Sequence, residues 1–296
     1  MTTYVAVSAS TTRDYNFTLP LAALFWRDLV GFKPISLLAG DWTKDARVKC
    51  ALDALAHHGL PAVQVGALDG YDEGTAAQNV RQHAAGLPAL EPDAWLIPSD
   101  ADLWPLKRDW YHQHEGSDKQ AFSYFSNGDH FVSKQDVISK LDAGNTSFQS
   151  LPTCHIAARV LTWRELYALT GDVAADTKRT LDGWLAPKLP GKAPNMAAWE
   201  SWMSDQRIMT EKFCRASWFP DSVAFIPRVG PPSDRLDRGD WDPRYVKTAI
   251  DAHVLRPPDR EGNWHRLLEL VKLYLPQHVA WADEYRNRYK GTYVDY

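Results

Sequence analysis

The chain has 296 residues, 45% of them hydrophobic and 24% charged, with a formal net charge of −4. These are ordinary globular values for one large domain or two small ones. The mildly acidic balance excludes a surface built as a whole for nucleic acid, and no run approaches the roughly 20 apolar residues of a membrane span.

Residues 4–10 form a short apolar run ending in small polar residues, the pattern of a first strand in a buried sheet. The period then becomes helical over 18–30, with Thr18 as cap and Pro20 in the first turn. A second strand is expected over 34–41, and a helix over 44–58 behind Thr43. A third strand follows over 61–68. A helix over 75–85 stops at Gly86, and a fourth strand begins at Trp95. Later the pattern loosens. A helix is expected from Pro105, strands over 121–125 and 153–160, and a helix to Gly171 opened by the capping box Thr162/Glu165. An exposed loop is expected over 186–195, a helix over 197–213, a long Pro/Gly/Arg/Asp loop over 228–243, and two amphipathic helices over 264–275 and 277–288. The first half is thus β-α-β-α-β-α-β with short connections, which implies a mainly parallel sheet wrapped by helices. Ligands of such sheets bind beyond the carboxyl ends of the strands.

The fourth strand runs Trp95-Leu96-Ile97-Pro98-Ser99-Asp100-Ala101-Asp102. In extended backbone the side chains at i and i+2 point the same way, so Asp100 and Asp102 would aim together past the strand end. Two carboxylates held side by side need a counter-charge, and a hard divalent cation with oxygen ligands supplies it. The alternative is a solvated acidic turn. Other strand ends carry Ser8 and Ser10, Asp41 and Asp69. Thirteen tryptophans serve either a Trp-rich core or a ligand groove. Cys50, Cys154 and Cys214, in no metal-like spacing, read as reduced thiols. With no charged-then-apolar leader, the expected location is cytoplasmic.

Several readings are excluded by what the motifs lack. The turn after the first strand, Ser8-Ala9-Ser10-Thr11-Thr12-Arg13, has no glycine, which argues against dinucleotide binding and against sugar-nucleotide pyrophosphorylases. There is no P-loop, no His-Glu-x-x-His and no Gly-x-Ser-x-Gly. A haloacid-dehalogenase phosphatase would place Asp-x-Asp on the first strand, with Thr or Val where this chain has Trp104.

A strand-helix alternation without a glycine loop, carrying Asp-x-Asp after its fourth strand, resembles glycosyltransferases of the GT-A fold, over about residues 4–256. The resemblance implies a single α/β GT-A-like domain, its mainly parallel sheet flanked by helices. Residues 1–115 would form the nucleotide-sugar half, 116–262 a mixed acceptor-side half, and 263–296 a helical extension. It implies Mn2+ or Mg2+ bridging the phosphates of a nucleoside-diphosphate sugar, expected to be UDP-linked. Asp102 is then the firmer metal ligand, and Asp100 touches the ribose or reaches the metal through water. His253 is a further metal ligand, Arg81 reaches the nucleotide, and Ser8 and Asp69 hold the nucleobase. Ser204-Asp205-Gln206 resembles an Asp-Gln step in such transferases and makes Asp205 a base or sugar contact. The chain departs from many inverting members in lacking a clear acidic pair, so the stereochemistry stays open.

The acceptor is open among a small molecule, a glycan, a protein and a modified DNA base. For DNA speak Arg228, Arg235, Arg238, Arg244, Arg256, Arg260 and Arg266, interleaved with Trp241, Tyr245 and Trp264. Against it, nearby aspartates nearly cancel the charge, which makes a salt-bridged loop the competing reading. A non-catalytic nucleotide-sugar-binding protein on the same scaffold is the alternative of a different class.

Overall fold

The computed structural model describes residues 1–126, 132–145, 148–185, 203–227 and 234–292. Its strands are β1 (Thr3–Ala9), β2 (Lys33–Ala39), β3 (Ala62–Gly66), β4 (Trp95–Asp100), β5 (Leu103–Pro105), β6 (Ala121–Ser126), β7 (Ile156–Arg159), β8 (Val223–Pro227), β9 (Arg235–Leu236) and β10 (Asp251–His253). Its helices are α1 (Arg13–Leu24), α2 (Ala46–His57), α3 (Glu73–His83), α4 (Arg108–Tyr111), α5 (Lys134–Asp142), α6 (Val160–Tyr167), α7 (Val173–Leu185), α8 (Ser204–Arg215), α9 (Glu261–Tyr274) and α10 (Val279–Gly291). Seven strands form a sheet in the order β3-β2-β1-β4-β7-β6-β8, and β5-β10-β9 form a separate ladder. β2 pairs parallel with β3 and β6 with β8, while β7 is antiparallel to both β4 and β6. This is the mainly parallel, helix-alternating α/β sheet expected of a GT-A-like chain. Every residue of β1, and all of β2 after Lys33, is buried, which explains why both read as continuous apolar runs.

The first helix departs from expectation. It starts at Arg13, five residues before Thr18, and Pro20 lies inside it. Every residue from Asn16 to Leu24 is buried, so no polar face marks its start. The Thr18 hydroxyl bonds back to the Asp14 carbonyl at 3.0 Å. The helix runs on as a wider π turn, Phe25–Val30, that ends at Gly31 with φ +92°, a conformation open to glycine. Asp45 and Asp72, not Thr43, cap the next two helices through their backbone N–H groups. The helix expected from Pro105 is instead β5, followed by the short α4. The expected capping box is absent: Arg159 stands at the N-cap of α6, and the Thr162 hydroxyl bonds Gln120. The expected loop at 186–195 and the first residues of the expected helix at 197–213 lie outside the described residues.

The chain divides into two compact units: Met1–Ala6, Ala67–Ser99 and His114–Arg228, and then Val7–Gly66, Asp100–Gln113 and Val229–Tyr296. In the first, Trp95 packs among His114 and Phe122, and Trp163 among Tyr167 and Phe213. In the second, Phe17 of α1 stacks on Tyr285 at 5.2 Å and meets Trp264 and Tyr289 edge-on. The Tyr289 hydroxyl reaches the Arg13 carbonyl at 2.9 Å. The C-terminal helices therefore fix the start of α1. Trp26, Trp42, Trp95, Trp104, Trp163 and Trp264 are all under 2% exposed, so these six build core. Among the described residues no helix is long and apolar enough to cross a membrane.

Candidate active site

β4 delivers the two aspartates, but not as neighbours on one extended strand. Pairing of β4 with β7 covers only Trp95 and Leu96, so that ladder has ended before Pro98, which could not donate to it. Asp100 is the last residue of β4, and Ala101 and Asp102 form a turn. The chain then folds back as β5 against β10, with Leu103 opposite His253. The Val254 N–H donates to the Asp102 carbonyl at 2.8 Å. Backbone pairing thus pins Asp102 beside the end of β10, whereas Asp100 stays partly exposed.

Asp102 is 2% exposed, and three cationic or potentially cationic groups converge on its Oδ2. Arg238 Nη1 donates at 2.7 Å, Arg256 Nη2 donates more closely, and His253 Nε2 lies at 3.5 Å. His253 Nδ1 faces Asp237 at 3.5 Å. Burial alone raises the Asp102 carboxyl, but the His253 hydrogen bond and the charges of His253, Arg256 and Arg238 outweigh it and hold the group far below the usual carboxylate range.

Beside this cluster Arg256 stacks on the Tyr15 ring at 4.4 Å and donates to its hydroxyl at 2.5 Å. Burial and the nearby Asp102 push the Tyr15 phenol up to about 12. Burial raises Asp14, with Arg256 and Arg13 pulling it back. Arg13 is clamped by the buried Asp259 at 2.8 Å. A cleft of about 530 Å³ is lined by Thr12, Arg13, Asp14, Tyr15, Arg256 and Pro257. A flat ring and fixed guanidinium groups suit an anionic ligand with a flat part.

The other unit holds a second charged pair. Arg81 of α3 and Asp205 of α8 are 3% and 2% exposed, with Nη2 to Oδ2 at 2.5 Å. Asn79 donates to the Ser204 hydroxyl at 2.9 Å and Gln82 to the Asp205 carbonyl at 3.0 Å. The Tyr167 hydroxyl holds Gln82 at 2.7 Å. A polar ladder thus ties the two helices together around the pair.

Of the sequence-derived candidates, Asp102 and His253 come into contact, and Asp100 lies near enough to act on Tyr15 electrostatically. Arg81, expected to reach the nucleotide, and Asp205, expected as a base or sugar contact, pair with each other. Ser8 is buried in β1, and Asp69 is exposed on the turn after β3. Tyr15 and Arg13 were not found from sequence. They stand on the part of α1 that hydropathy left out, and the turn before it, lacking glycine, carried no familiar motif. Arg228 lies outside the described residues. Arg235, Arg238, Arg244 and Arg256 are bound to Asp251, Asp102, Asp242 and Asp102, as the salt-bridged reading expects, while Arg260 and Arg266 are exposed without an ion pair among the described residues.

No protein-family model matches the sequence, and no curated protein matches it. Solved structures similar to the chain are glycosyltransferases. Galactosyltransferase LgtC in complex with donor and acceptor sugar analogs is 13% identical, over 92% of this chain and 96% of that one, with a TM-score of 0.48. A glycosyltransferase involved in the glycosylation of the major capsid of PBCV-1 is 10% identical over 91% and 98%, with a TM-score of 0.41. Glucosyl-3-phosphoglycerate synthase from Mycobacterium tuberculosis, in complex with Mn2+, UDP and glucosyl-3-phosphoglycerate, is 14% identical over 92% and 80%, with a TM-score of 0.36.

Proposed function

We propose that the chain is a metal-assisted glycosyltransferase that moves a sugar from a UDP-linked donor to an acceptor hydroxyl. The observation that carries this reading is the convergence of Arg238, Arg256 and His253 on the buried Asp102, beside the cleft walled by Tyr15. Such a locus offers both a ligand for a cation and guanidinium groups for phosphates.

The residues fit a hard divalent ion. Asp102 Oδ2 and His253 Nε2 are 3.5 Å apart, near the roughly 3 Å between two ligands at right angles on bonds of about 2.1 Å. Arg256 Nε is buried with no hydrogen-bond partner, so this guanidinium retains a donor for an anion. Among the described residues no three His, Cys, Asp or Glu side chains group as a complete metal site. Asp102 and His253 would hold the ion, Asp100 would act through water, and phosphate oxygens would complete the shell, as is usual for ions of this kind. Bound there, Mn2+ or Mg2+ supplies a Lewis acid for the departing diphosphate.

The chain's own groups do the rest. Arg238 and Arg256 put positive charge where the leaving group gains negative charge. Tyr15 presents a fixed face in the cleft. The Asp-Gln step keeps Asp205 as the proposed sugar or acceptor contact, with its carboxylate held by Arg81. Cytoplasmic placement rests on three free cysteines, two of them buried.

The test is a panel of sugar nucleotides incubated with and without Mn2+. Mn2+-dependent release of UDP from a UDP-sugar is the expected result. Failure of the whole panel to be bound or hydrolysed removes the reading, and binding without turnover favours the non-catalytic alternative.

A further inference from the structure

Two residues after Asp205, α8 carries a buried cation with no ion pair among the described residues. Arg207 is 7% exposed, and its Nη1 is shielded from solvent without a hydrogen-bond partner. Asp205 does not neutralise it, because its carboxylate is engaged by Arg81. The turn beside α8 and the strand against that turn each carry a shielded hydroxyl without a hydrogen-bond partner: Thr153, 1% exposed, and Ser123, 0% exposed.

The topology gathers these three residues. α8 packs on the turn Thr153–His155, and that turn packs on β6, which carries Ser123. Thr210, one turn along α8 from Arg207, accepts the Leu151 N–H at 2.8 Å, two residues before Thr153. Ser123 stands opposite Ile156, the residue that follows the turn. A buried guanidinium left unanswered is among the costliest features a core can hold. A guanidinium fork with two hydroxyl donors is the complement of an oxyanion with two or three oxygens.

We propose that Arg207, Thr153 and Ser123 form a pocket for an anionic group, a carboxylate or a phosphate, carried by the sugar acceptor. The word acceptor rests on the transferase reading alone; the anion pocket itself does not.

The experiment is thermal unfolding of the full chain during titration with inorganic phosphate and, separately, acetate. The wild type gains melting temperature with the logarithm of the concentration of one of them, by roughly 5 °C at about a hundredfold excess over the dissociation constant. The anion that acts distinguishes a phosphorylated from a carboxylated acceptor. Arg207→Met melts higher than the wild type without anion and loses the response, while Arg207→Lys keeps part of it. A wild type that responds to neither anion overturns the proposal. So does an Arg207→Met protein that responds like the wild type or melts lower without anion. If Arg207→Met does not fold, the double variant Ser123→Ala/Thr153→Ala must weaken anion affinity at least tenfold, and unchanged affinity overturns the proposal. UDP binding with Mn2+ is measured alongside on the same proteins. Its absence with the anion response intact sinks the transferase reading and leaves the pocket standing.

Discussion

Asp102→Asn tests the site most directly, since the substitution keeps volume and removes one charge. In the wild type that charge faces Arg238, Arg256 and His253 through a single oxygen, on a residue 2% exposed. Removing one partner of a fully buried pair costs about 3–5 kcal/mol. Here the arginine side chains are 30% and 26% exposed, so water recovers part of their solvation and the cost falls to about 2–3 kcal/mol. For a chain of this length that lowers the melting temperature by roughly 5–10 °C, read in metal-free buffer with chelator. Adding Arg256→Met to Asp102→Asn relieves part of the loss, because one stranded cation goes. The second readout is titration calorimetry with UDP: Mn2+ tightens UDP binding in the wild type and has no effect in the variant. A variant that melts within a degree of the wild type and keeps Mn2+-dependent UDP binding refutes the reasoning on both counts.

The wholly buried His83 sits with Nδ1 2.9 Å from the Asn79 carbonyl and Nε2 2.9 Å from the Thr180 hydroxyl, and burial lowers it to about 4. Its folded value is depressed, so its contribution is complete above about 6.5 and is lost as pH falls towards 4; between pH 7.5 and pH 5 His83 should account for about 2 kcal/mol of lost stability in denaturant unfolding, the part of the pH dependence that His83→Gln removes. Arg81→Met and Asp205→Leu should each cost about 3–5 kcal/mol in urea unfolding, while the double variant costs much less than their sum; additive losses would mean that the pair is not coupled. Because four of the six described arginines of the segment 228–266, Arg235, Arg238, Arg244 and Arg256, are bound to aspartates, the chain should pass a DNA column unretained at low salt, and retention that falls steeply with salt would revive the DNA-base acceptor.

Much of the α/β alternation was legible because it is written locally. β1 and β2 are continuous apolar runs, and α2 and α3 end in recognisable stops near Gly59 and Gly86. The position of Asp-x-Asp at the end of β4 follows from the same local pattern. Where burial is all round, as along α1, no period remains to be seen, and the helix start with its Tyr15 and Arg13 was missed. The β5-β10-β9 ladder is built from strands of three, three and two residues, too short for any alternation to show. It joins Leu103 to His253 across 150 positions of chain. Local sequence determined which strand carries the acidic pair; only the tertiary structure decided which of the two aspartates is buried and which distant arginines and histidine answer its charge, because the pairing of charges far apart in sequence is set by backbone register and not by neighbours along the chain.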